Sequence, residues 1–98
     1  MSRRCARVDD NQAEIVKALR AIGATVTSTA GVGNGFVDLA VGYRGVNYLL
    51  EVKDGSKPPS ARKLTPDEAK FHNGWRGKAH VVATVQEAIN VVTLEGVE

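Results

Sequence analysis

At 98 residues, with 43% hydrophobic and 24% charged side chains, the chain has the size and balance of one small soluble globular domain with a single core. A net charge of +2 is too small to identify a polyanionic partner by itself, and a lone cysteine, Cys5, excludes an internal disulfide and fits a reducing, cytoplasmic setting. No apolar run approaches the roughly 20 residues of a membrane span, and Arg3 and Arg4 are followed by no apolar signal segment, so no membrane partner is expected.

Residues 1–8 read as a basic arm carrying Arg3, Arg4 and Arg7. Asp9 or Asp10 can cap a helix that runs to about residue 22, where Gly23 can end it. Ile15, Leu19 and Ile22 make its apolar stripe, with Ala18 beside them. Glu14 lies at the edge of that stripe. It is either a first-turn surface glutamate favoured by the helix dipole or a carboxylate reaching into the crevice between helix and sheet. A first strand follows over 24–29, then a glycine-rich loop over 30–35. That loop leads into a strand and lacks a Gly-Lys-Ser/Thr, so a phosphate-cradling nucleotide site is not expected and no nucleotide cofactor is implied.

Residues 37–53 form the organising stretch. Two β-rich halves flank Arg44 and Gly45, the signal for a β-hairpin. A turn centred there makes partner numbers sum to about 89, which sets Asp38 opposite Glu51 with Cβ atoms roughly 5 Å apart. Lys53, two residues on, shares their face. Val37, Leu39, Val41, Tyr43, Val46, Tyr48, Leu50 and Val52 make the opposite face, which must be buried. The charged face carries the small residues Ala40 and Gly42, where a helix can come close.

Residues 54–63 read as a loop that places Lys57, Arg62 and Lys63 beside the carboxylates. Thr65, Pro66 and Glu68 then announce a helix: a cap, a first-turn proline and a capping box. It runs to about residue 76, with Phe71 and Trp75 on one face and Trp75 expected in the core. A fourth strand over 79–84, a helix over 85–92 and a tail over 93–98 complete one domain spanning 1–98. The order α-β-β-β-α-β-α predicts a three-layer α/β fold with a central mixed sheet and helices on both faces.

Facing carboxylates repel unless a cation compensates. Mg²⁺ prefers oxygen and typically takes one or two protein carboxylates together with water and substrate phosphate. Asp38 and Glu51 supply such oxygens, with the Val52 carbonyl in reach, and Lys53 can hold the attacking water or stabilise charge on a phosphate in flight. Cys5, His72 and His80 lack the paired spacing of a structural zinc site, and no serine sits on a nucleophile elbow.

Asp38 followed by Glu51-Val52-Lys53 resembles the core of PD-(D/E)XK nucleases. Gly35-Phe36-Val37-Asp38-Leu39, the run from Tyr48 to Gly55, Leu64-Thr65-Pro66 and the helix carrying Phe71, His72 and Trp75 resemble the VRR-NUC subgroup, small nucleases of viruses and of repair proteins. The resemblance spans about residues 10–88. It implies a restriction-endonuclease-like fold and a Mg²⁺- or Mn²⁺-dependent DNA endonuclease, often selective for branched structures such as Holliday junctions. It implies Asp38 and Glu51 as metal ligands, Lys53 as the catalytic lysine, and Glu14 as the acidic residue that such nucleases often add from their first helix. It implies a location in the host cytoplasm if the chain is viral. Two positions depart from the pattern. Val37 stands where the family has Pro, and Glu68 where it has Gln, which sets a negative charge near the expected phosphate. DNA is expected across Lys57, Arg62 and Lys63, with Arg3, Arg4 and Arg7 on the backbone and a homodimer widening the basic face. The alternative is a non-catalytic DNA-binding module that keeps the fold; the intact Asp38, Glu51 and Lys53 argue against it.

Overall fold

The computed structural model describes residues 11–94. Arg3, Arg4 and Arg7 of the expected arm and the expected caps Asp9 and Asp10 lie outside the described residues. Helix α1 (Gln12–Ala21) buries Ile15 and Leu19, as the stripe requires. The Asn11 side chain does not cap it. Its amide instead donates to the backbone carbonyls of Lys53 (3.0 Å) and Ala83 (2.9 Å), which fastens the helix start to the sheet's end. Gly23, at φ 100°, closes the helix. Its N–H donates to the Arg20 carbonyl and that of Ala24 to Leu19, the paired bonds of a Schellman end.

Four strands follow: β1 (Thr25–Ser28), β2 (Leu39–Tyr43), β3 (Val46–Val52) and, after helix α2 (Pro66–Gly74), β4 (Ala79–Val82). Helix α3 (Val85–Leu94) ends the described chain. The sheet runs β1-β2-β3-β4, with the first three strands antiparallel and β4 parallel to β3. In the hairpin, Leu39 pairs with Leu50, Val41 with Tyr48 and Tyr43 with Val46, so partner numbers sum to 89. Arg44 (φ 51°) and Gly45 (φ 82°) both take left-handed backbone, the requirement of a type I′ turn, whose twist matches the strands it joins.

Strand alternation does the rest. Leu39, Val41, Tyr48, Leu50 and Val52 are buried on one face together with Val26 and Val82, under Ile15 and Leu19 of α1 and Ala88 and Val92 of α3. Helix α2 stands over the other face, at the end where Glu51 and Lys53 emerge. Its start follows the capping box read from the sequence: Thr65 Oγ1 accepts from the Glu68 N–H, and Glu68 Oε1 accepts from the Thr65 N–H. The expected loop contains one short 3-10 helix, Pro59–Arg62.

Two expectations are corrected. A helix was expected to come close at Ala40 and Gly42, but α2 stands over the carboxylate end, and those two residues line a shallow depression with Thr25, Thr27 and Asn47. Trp75 is 45% exposed rather than buried. The main core lies on the far sheet face, so the aromatic residues of α2 pack instead into a separate cluster. Phe71 meets Trp75 at 4.9 Å and Phe36 edge-on at 5.2 Å.

Gly35 sets where α2 sits. It has φ 80°, and a Cβ there would come within 2.5 Å of the Asp67 backbone. The glycine at this position thus admits the close approach of α2. Gly35→Ala is therefore expected to cost ~2 kcal/mol or more, from left-handed strain together with overlap. Urea denaturation of the variant measures this, and wild-type stability would show that the loop and helix part easily.

Candidate active site

Asp38 is held from both sides by the backbone. Its N–H donates to the Leu50 carbonyl (3.1 Å), and its own carbonyl accepts from Thr29 (2.8 Å). Its carboxylate Oδ2 accepts the Val52 N–H at 2.8 Å, just before β2 begins and where β3 ends. The N–H and C=O of an extended residue leave the strand on the same side, so the Val52 carbonyl shares the Asp38 side. Asp38, Glu51, Val52 and Lys53 line one depression of about 290 Å³ with Lys57, Ala61, Thr65 and Glu68.

Glu51 is 2% exposed, and its Oε1 is buried without a hydrogen-bond partner. Burial first, then the negative charges of Asp38 and Glu68, push its pKa up to about 9. At neutral pH the carboxyl therefore holds its proton. Lys53 Nζ donates to Glu68 Oε1 at 2.9 Å and lies 3.8 Å from Glu51 Oε2. Burial pushes the Glu68 carboxyl up, but the Lys53 ammonium and the Thr65 N–H outweigh it and hold the pKa below the usual range. His72, one turn along α2 from Glu68, is held below its usual pKa, chiefly by burial.

The remaining expected residues are placed as follows. Glu14 is exposed and lines a different depression, with Asn11, Asp54 and Ser56, so α1 does not bring it to Asp38 and Glu51. The polar residue that α1 turns inward is Gln12, 7% exposed, with its Oε1 buried and unpartnered. A signal for it exists in the sequence: Gln12 stands three residues before Ile15 and seven before Leu19, in line with the buried stripe, whereas Glu14 does not. Lys57 lines the depression, Lys63 is exposed, and Arg62 is half-buried with its Nε unpartnered. Glu68 was read only as a helix cap and a family departure. Its contact with Lys53 depends on where α2 sits, which no local spacing encodes.

Among the described residues, no three His, Cys, Asp or Glu side chains group into a metal cage. With Glu68 engaged by Lys53 and the Thr65 N–H, the remaining donors are the two carboxylates of Asp38 and Glu51 and the Val52 carbonyl, a set of hard oxygens that suits Mg²⁺ or Mn²⁺ completing its shell with water and phosphate. The unpartnered Oε1 of Glu51, beside a second carboxylate, is what such an ion would satisfy. The residues fit the group.

A pH dependence follows. Glu51 keeps its proton up to about pH 9 when folded, against 4.5 for the ordinary group, so between these values the folded state carries the extra proton. The stability contribution is complete below pH 4.5 and is lost as pH rises towards 9. Without metal, unfolding free energy should fall across this window with a slope approaching one proton. Saturating Mg²⁺ should flatten the slope, as should Glu51→Gln. Denaturation at pH 5, 7 and 9, with and without Mg²⁺, measures this; a flat metal-free profile would place the proton elsewhere.

A scan against protein-family models gives no match, and neither does a comparison with curated protein sequences. A solved structure described as a VRR_NUC domain superposes on 89% of this chain and 92% of its own, at a TM-score of 0.62 and 25% identity. The mixed four-stranded sheet with helices on both faces agrees with that likeness, and the chain has a restriction-endonuclease-like fold similar to that VRR_NUC domain.

Proposed function

We propose that the chain is a divalent-metal-dependent endodeoxyribonuclease that hydrolyses phosphodiester bonds at Asp38, Glu51 and Lys53. The observation that carries the reading is Asp38 and the buried Glu51, whose Oε1 has no hydrogen-bond partner, beside a lysine in one open depression. Such an arrangement is costly as plain structure, because like charges share a site of low polarity. Perturbed carboxyls in a cleft are a recurring mark of active sites. The likeness to a VRR_NUC domain supports the same reaction class.

Asp38, Glu51 and the Val52 carbonyl would hold the ion. When bound, it makes water a stronger nucleophile and offsets negative charge on the phosphate. Asp38 enters that role already oriented by the Val52 N–H. Glu51 would hold the ion as a carboxylate, its proton released to solvent. Lys53 presents its ammonium to the phosphate oxygens, where charge grows as the bond breaks. Lys57, at the rim, meets a neighbouring phosphate, and Arg62 and Lys63 extend the basic strip. Such backbone contacts position DNA without reading its sequence. Glu14 has no part in this scheme.

Selectivity for branched DNA and a homodimer belong to the same proposal. One domain of 98 residues offers a narrow basic face, and a two-fold pair would offer two cleavage sites and twice the strip.

The test is cleavage of labelled four-way-junction and linear duplex DNA in Mg²⁺ or Mn²⁺. Wild type should cut, and Lys53→Ala should lose about 100-fold, as when a single charge-stabilising donor is removed. Mg²⁺ should raise the melting temperature of wild type and leave that of Asp38→Ala unchanged. Symmetric cuts in the junction alone would identify a dimeric resolvase. DNA bound but never cut, with an intact metal response, would replace the reading by a non-catalytic DNA-binding module.

A further inference from the structure

We infer that Glu68 is a positioning residue for Lys53, holding its ammonium off Glu51 and over the reaction site. The inference rests on the proposed nuclease reading of this site. Glu68 Oε1 accepts two hydrogen bonds at once, from Lys53 Nζ and from the Thr65 N–H, each at 2.9 Å. One oxygen thus fixes the lysine and closes the first turn of α2. Lys53 has a second carboxylate neighbour, Glu51 Oε2, but at 3.8 Å it is outside hydrogen-bond range. The lysine is therefore bonded to the helix carboxylate and only adjacent to the strand carboxylate.

This division has a chemical consequence. A lysine on the strand two residues from a buried carboxylate would turn onto it if nothing else held the ammonium. It would then occupy the oxygen that a cation needs and be withdrawn from the phosphate. Glu68 supplies the competing acceptor from across the cleft. The Lys53 and Glu68 side chains are 15% and 18% exposed, so the pair is sheltered and gains more than a solvent-facing pair does. Lysine has the most rotamer freedom to lose on being fixed, and a partner already locked by a helix cap fixes it before substrate arrives.

The carboxylate is not needed for the cap. A glutamine at the third helical position also completes a capping box. What glutamine lacks is the charge that holds the ammonium. Glu68→Gln therefore separates the two roles within one side chain.

The experiment uses the full chain in four forms: wild type, Glu68→Gln, Lys53→Ala and the double variant. Glu68→Gln should still unfold cooperatively, melting only a few degrees below wild type, because the cap survives while the charged pair is lost. Its kcat for DNA cleavage should fall about tenfold while KM stays the same or drops, one negative charge near the phosphates having been removed. Added to Lys53→Ala, it should lower cleavage no further, because the two groups act as a unit. A readout independent of activity is the order parameter of the Lys53 ε-methylene, from carbon-13 relaxation without metal or DNA; it should fall in Glu68→Gln. Wild-type kcat with an unchanged Lys53 order parameter would overturn the inference. So would an equal further loss in the Lys53→Ala background, which would give Glu68 a role apart from the lysine. If wild type cuts no DNA, the nuclease reading fails, and an unchanged Lys53 order parameter would then sink the positioning contact as well.

Discussion

Two carboxylates forced onto one face at the end of a hairpin create a local surplus of negative charge, and most of the site answers that surplus. The type I′ turn at Arg44 and Gly45 fixes the register out to Leu39 and Leu50, and Asp38, the next residue, comes beside Glu51 whatever the charges prefer. Glu68 then brings a third carboxylate from α2. Against these three stand the Lys53 ammonium within contact and Lys57 at the rim. The protein relieves the imbalance locally in three ways. The Val52 N–H goes to Asp38, a proton stays on Glu51, and Lys53 pairs with Glu68. Of these, the proton is the one a divalent ion can displace, because the other two are fixed by backbone and by helix capping.

The apolar layers make that arrangement affordable and rigid. Leu50 and Val52 are buried on the face opposite Glu51 and Lys53, so Glu51 is flanked on β3 by side chains clamped under α1 and α3, and Lys53 follows directly on Val52. A one-residue slip would bury the charges and expose the core, and the register resists it by the full cost of that exchange. Asn11 adds a further clamp: its amide joins the start of α1 to the Lys53 and Ala83 carbonyls, where β3 and β4 end side by side. Reactive groups mounted on such a strand keep their spacing more closely than groups carried by loops.

What the sequence revealed, and what it withheld, divides along the range of the interactions. The hairpin was legible because period-two alternation and an Arg-Gly turn are local signals, and together they set Asp38 against Glu51 without knowledge of any other element. The start of α2 was legible because Thr65, Pro66 and Glu68 are a cap written in four residues. Residues whose role depends on which face finds a partner were not. Glu14 and Gln12 sit two residues apart on one helix, and only the stripe of Ile15 and Leu19 shows that Gln12 turns inward. Trp75 read as core because tryptophan is large and apolar, yet the core had formed across the sheet. The Glu68–Lys53 bond spans fifteen residues and depends on Gly35 letting the Asp67 backbone come close. Pairing pattern and capping carry no information about that approach.

Helix α2 is the least secured part of the site, and this shapes how the site can work. It has no buried residue, and none of its side chains joins the core cluster. It is tied by the aromatic cluster of Phe36, Phe71 and Trp75, by the approach of Gly35 to Asp67, and by the Glu68–Lys53 bond itself. Elements with few buried apolar contacts open at lower free energy than the core does. The cleft therefore has one stiff wall, the hairpin that carries Asp38, Glu51 and Lys53, and one compliant wall, the helix that carries Glu68. The Glu68–Lys53 bond joins the two walls, so the contact that places the lysine is also one of the few that hold α2 at the cleft. Spacing within the carboxylate pair is kept on the sheet and does not depend on that contact.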